Sequence, residues 1–145
     1  MVFKKFLLLL CLFLVYGVHA QNIFDDYRLI GNNIGKKYIT YSEVLSSFKA
    51  EKEIWNSGYS VKIFLPSNKI EGTEKFYKDI YNRSLNSTKK FFVLLSFQGR
   101  SLDPYYYDSY QEMVDQVYRK KGAIAIVPKS FKVDSEFILN VVIDK

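Results

Sequence analysis

The chain has 145 residues and a formal net charge of +6, with one cysteine and one histidine. Both Cys11 and His19 lie in a leading segment built from Lys4-Lys5, an apolar run from Phe6 to Val15, and Val18-His19-Ala20 before Gln21, the pattern of a secretory signal peptide over residues 1–20. Cleavage after Ala20 leaves residues 21–145 at +4 with no thiol and no imidazole, which excludes disulfides, zinc sites with Cys or His ligands, a Cys nucleophile and a Ser-His-Asp triad.

Along the remaining chain, Tyr27-Arg28-Leu29-Ile30 reads as a short strand entering a turn at Gly31-Asn32-Asn33-Ile34-Gly35. Thr40 or Ser42 can cap a helix carrying Val44, Leu45 and Phe48 at helical spacing. Asn56-Ser57-Gly58 marks a turn before Val61-Lys62-Ile63-Phe64-Leu65, a buried strand stopped by Pro66-Ser67-Asn68. From Thr73 the recurrence of Phe76 with Ile80 and of Tyr77 with Tyr81 predicts a helix to about Arg83, and Ser87 to Phe97 predicts a second. In that second helix Phe91, Phe92, Leu94 and Leu95 are too densely apolar for an exposed segment. Gln98 to Tyr107 reads as loop because of Gly99 and Pro104. Ser109 caps a further helix with Met113, Val114 and Val117 on its apolar face and cations ahead of a stop at Gly122. Ala123 to Val127 and Phe137 to Ile143 read as the last two strands.

Strands alternating with helices, with no internal repeat and no linker, predict one three-layer α/β domain over residues 21–145 with a small, mostly parallel or mixed sheet. Ligands of such sheets bind beyond the carboxyl ends of strands, which points to the turns Gly31 to Gly35 and Pro66 to Thr73. The lysines are dispersed, without the dense basic run of a nucleic-acid binder, and the apolar run at the amino end is shorter than the about 20 residues a bilayer span needs.

Three segments carry a resemblance. Phe48-Lys49-Ala50-Glu51-Lys52-Glu53-Ile54-Trp55 is similar to an F-x-G-x-x-x-x-W motif; Val61 to Leu65 with Glu71-Gly72-Thr73 and Phe76 is similar to a strand followed by an S-G-T turn; and Gly122-Ala123-Ile124-Ala125-Ile126-Val127 is similar to G-x-I-G-Y-V. In this order they resemble the phosphate-type periplasmic solute-binding proteins of ABC transporters, over about Lys37 to Ser130, one lobe of a type II binding-protein fold that normally has two. The resemblance implies an exported, periplasmic or secreted, non-catalytic binding module without a cofactor, holding a small oxyanion such as phosphate and serving a membrane transporter or receptor. It implies ligand contacts from Ser67, Asn68, Gly72 and Thr73, where unsatisfied N–H groups at a helix start attract anions. Asn32 and Asn33 are expected to contribute from the neighbouring strand end. Where the family places an Arg before its turn this chain has Pro66-Ser67, Glu71 replaces the Ser, and Ala50, Ala125 and Ile126 replace Gly, Gly and Tyr. These departures favour the alternative of a ligand-free interaction module that keeps the fold. A one-lobe binder leaves its anion face open unless a second copy covers it, so a homodimer is a further expectation.

The sequons at Asn82 and Asn86 matter only in a glycosylating host. Tyr105-Tyr106-Tyr107 reads as cover for a core edge and Trp55 as core. Intact-mass measurement of the exported protein is expected to place Gln21 at the amino terminus; mature material retaining Met1 would contradict the signal peptide.

Overall fold

The computed structural model describes residues 22–100 and 102–144, so the signal segment, residues 1–20, lies outside the described residues. Strands β1 (Tyr27–Gly31), β2 (Tyr38–Thr40), β3 (Lys62–Pro66), β4 (Tyr105–Tyr107), β5 (Ala123–Pro128) and β6 (Ile138–Val142) form one mixed sheet in the order β2-β6-β1-β5-β3-β4. The helices are α1 (Tyr41–Phe48), α2 (Thr73–Tyr81), α3 (Leu85–Phe97) and α4 (Tyr110–Arg119).

The layers follow from the two-residue period of the strands. Leu29, Ile63, Leu65, Ile124 and Ile126 point to one face and pack with Val44 and Phe48 of α1, Phe76, Tyr77 and Ile80 of α2, and Phe92 of α3. Ile30, Phe64, Ala123, Ala125 and Val127 point to the other and pack with Met113, Val114 and Val117 of α4. A central sheet with helices on both faces is the three-layer α/β arrangement expected. Each fully buried Phe or Leu in it contributes roughly 1.5–3 kcal/mol.

Local chemistry sets the helix starts. Thr40 accepts from Glu43 N–H at 3.2 Å, Ser84 from Ser87 N–H at 3.1 Å, and Ser109 from Glu112 N–H at 3.1 Å, each satisfying a first-turn donor. Ser84 therefore starts α3 before Ser87. Two strands go beyond the sequence reading. Tyr105–Tyr107, read as loop, forms edge strand β4 paired in parallel with β3, and Tyr38–Thr40 forms edge strand β2 on β6. Tyr107 is buried against Phe64, ring centroids 5.0 Å apart, so the aromatic run does cover a core edge. A second difference concerns α3: Val93, Leu94 and Phe97 are 55%, 61% and 85% exposed, because only Thr88 and Phe92 of this helix are fully buried. From Phe91 to Phe97 the helix carries apolar residues on more than one side, and only one side meets the core.

Strand direction matters most for function. β3, β4 and β5 run parallel, whereas β1 is antiparallel to β5 and to β6. The loop after β1 consequently leaves at the amino ends of β3 and β5. There Gly122, at φ 86°, donates its N–H to Asn32 O at 2.7 Å, and its carbonyl accepts from Lys62 N–H at 3.0 Å and from the Trp55 indole at 2.8 Å. A Cβ on Gly122 would stand 2.1 Å from Ser60 O, whereas one on Gly58, at a similar φ of 87°, would meet nothing within 4 Å. Both substitutions incur the left-handed strain of about 1–2 kcal/mol. Gly122→Ala adds a backbone clash and is expected to cost about 2–4 kcal/mol in denaturant unfolding, against about 1 kcal/mol for Gly58→Ala. Equal losses would contradict the close approach at Gly122.

Candidate functional site

The carboxyl ends of β3 and β4 lie side by side, and the helices that follow them depart to opposite faces, α2 to the face it shares with α1 and α3, and α4 to the other. A crevice outside the strand ends at such a divergence is where open α/β sheets bind ligands. The chain beyond β3 is ordered by Ser67, whose N–H donates to Tyr107 O at 2.8 Å and whose carbonyl accepts from Ile70 N–H at 3.2 Å. The Ser67 hydroxyl donates to Asp108 Oδ1 at 2.6 Å and accepts from Lys69 N–H at 3.2 Å. Lys69 Nζ closes the group at 3.1 Å from Asp108 Oδ2. The Ser67 hydroxyl and then the Lys69 ammonium hold the Asp108 carboxyl below its ordinary value. Asp108 therefore stays charged through the whole neutral range.

Helix α2 begins beside this cluster. Its cap is Gly72 at φ 81°, which makes no side-chain capping hydrogen bond, in contrast to Ser109 at the start of α4. The first N–H groups of α2 are thus the uncapped helix start at this edge, carrying the positive end of the helix dipole. Thr73 is buried, while Asn68, Glu71 and Gly72 are exposed. The Tyr77 hydroxyl donates to Pro66 O at 2.6 Å and fixes α2 against the end of β3. Burial raises the phenols of Tyr77, Tyr106 and Tyr110, the last two to about 12, with Asp103 near Tyr106 and Tyr27 near Tyr110 adding to the effect. These tyrosines are neutral at physiological pH.

Ser67, Asn68, Gly72 and Thr73 therefore lie together at one edge. Asn32 and Asn33 do not join them. Because β1 is antiparallel and separated from β3 by β5, both asparagines sit at the opposite edge. The Asn32 amide donates to Val117 O at 2.8 Å and Tyr118 O at 3.1 Å, tying the carboxyl end of α4, and the Asn33 carbonyl accepts from Ser57 at 2.5 Å. The cavity there, of about 480 Å³, is lined by both asparagines with Lys36, Lys37 and Glu136. Its cations are engaged: Lys36 bonds Glu43 at 2.5 Å and Lys37 donates to the Glu136 carbonyl. Burial alone would raise the Glu43 carboxyl, but hydrogen bonds from Lys36 and Lys52 bring it below its ordinary value.

Asp108 and Lys69 were not identified from the sequence. The signal available was the run of three tyrosines, since aromatic residues favour strands and reading them as one would have put Asp108 at a strand end beside Ser67. Among the described residues there is no group of three His, Cys, Asp or Glu arranged to hold a metal, and no helix long and apolar enough to cross a membrane.

Ala50, where the solute-binding motif has glycine, takes φ 58°, and Trp55 is buried with its indole on Gly122, linking the first and third segments. A scan against protein-family models gives no match, and a search of the curated proteins gives no significant one.

Proposed function

We propose that this protein is an exported, non-catalytic binding module of the solute-binding-protein type, whose binding end is the edge where β3, β4 and β5 terminate, and that its ligand is a small oxyanion such as phosphate, delivered to or sensed by a membrane partner. One observation carries the reading: the turn from Ser67 to the uncapped start of α2 already holds a carboxylate, that of Asp108, through a hydroxyl at 2.6 Å and an ammonium at 3.1 Å. A turn that binds its own anion has the donors an external one needs. On this reading binding is expected to be weak, because an oxyanion must displace Asp108 and approach Glu71. The left-handed Ala50 and the Trp55–Gly122 contact support the resemblance to that family.

A second reading, the ligand-free interaction module, is favoured by the exposed Val93, Leu94 and Phe97 on α3. Asn at position 108 keeps an acceptor for Ser67 while removing the charge. Titration calorimetry with phosphate and sulfate is expected to give a Kd in the micromolar range or weaker for the native protein, and at least fivefold tighter binding for Asp108→Asn, a gain of about 1 kcal/mol. A folded Asp108→Asn protein that binds neither anion would overturn the oxyanion reading and leave the interaction module in its place.

A further inference from the structure

A second group of cations lies on the same sheet edge and is not spent on carboxylates. β1 and β6 pair over only two positions, Leu29 with Leu139 and Ile30 with Ile138. Beyond them Tyr27 and Arg28 face Val141 and Asn140 without continuing the ladder, and an open cavity of about 310 Å³ lies at this place. Arg28, Lys129, Asn140 and Tyr27 contribute to its lining, which contains no Asp or Glu. Arg28 donates one terminal N–H to the Lys129 carbonyl, while its Nε is buried and has no partner among the described residues. The Lys129 ammonium has no ion pair or hydrogen bond there either. Asp26, the nearest acid along the chain, takes part only through its carbonyl, which accepts from Lys129 N–H at 2.9 Å.

A buried guanidinium nitrogen without an acceptor is costly, and an anion held at the terminal nitrogens of Arg28 offsets that cost through its charge without reaching Nε itself. Guanidinium geometry suits two oxygens of one anion, and a neighbouring ammonium adds charge without competing for the fork. The cavity holds roughly ten waters by volume, so a small oxyanion fits with its own hydration. We infer that the pocket between the splayed ends of β1 and β6 binds a small oxyanion through Arg28 and Lys129, as a site separate from the Ser67–Asp108 turn. Asn140 supplies a further amide donor at its rim, and the unpaired strand ends offer backbone groups.

The test follows the Arg28 side-chain Nε–Hε resonance in the ¹⁵N-labelled protein while inorganic phosphate or sulfate replaces chloride at constant ionic strength. The resonance is expected to move saturably with either anion. Lys129→Ala, an exposed position, is expected to weaken the response three- to tenfold, and Arg28→Lys, which keeps the charge and removes the fork, at least tenfold. Asp108→Asn should leave the Arg28 response unchanged while altering the amides of Thr73 and Glu74, so the two sites succeed or fail separately. An Arg28 resonance unmoved at about 50 mM anion, or one that responds equally in Lys129→Ala, would overturn the inference. If Arg28→Lys fails to fold, the native and Lys129→Ala titrations decide it.

Discussion

The domain depends on a backbone junction at Gly122 that tolerates no side chain. Its N–H binds Asn32 O at 2.7 Å, its carbonyl serves both Lys62 N–H and the Trp55 indole, and the space a Cβ would need belongs to Ser60 O. Asn32 returns the contact by donating its amide to the last carbonyls of α4 and its N–H to Ala123 O at 3.0 Å. One residue thereby joins β1, β3, β5, the Trp55 loop and the end of α4 at the amino edge of the parallel strands.

At the opposite edge the chain meets two electrostatic demands with different solutions. α4 satisfies one first-turn donor, the Glu112 N–H, through Ser109, whereas α2 starts on Gly72 and has no side-chain cap. Asp108 supplies an anion nearby and is itself bound to Ser67 and Lys69. Between β1 and β6 no carboxylate plays that part, and Arg28 and Lys129 keep their charge available. Our reading places binding at this edge because the antiparallel β1 sends its own loop, with Asn32 and Asn33, to the structural junction at the other end.

Much of the fold could be read from sequence because its signals are local. The apolar runs of β1, β3, β5 and β6, the caps at Thr40 and Ser109, and the burial of Trp55 follow from period, hydroxyl position and aromatic size. What was missed depends on pairing across long separations. Nothing local to Tyr27–Ile30 tells whether it runs with or against Ala123–Val127, and that direction decides where Asn32 and Asn33 stand. Strand β4 was hidden by Pro104 and Gly99, and with it the meeting of Ser67 and Asp108 across 41 positions. The density of apolar residues in α3 predicts helix but not the fraction covered, since coverage depends on the width of the layer beneath it. The turn at Gly72 and the start of α2 were legible because a glycine before Thr73 and a helix period from Phe76 are both sequence features.

The central claim is that the edge where β3, β4 and β5 end is the binding end of the molecule. Mapping amide perturbations over the whole ¹⁵N-labelled protein during a phosphate titration tests it most directly. The account predicts that shifts concentrate in residues 66–75 and 107–110, with Arg28 and Lys129 among the responders, while residues 31–37 and 120–123 at the Gly122 junction stay still. Shifts confined to residues 31–37, or a spectrum unchanged throughout the titration, would contradict it.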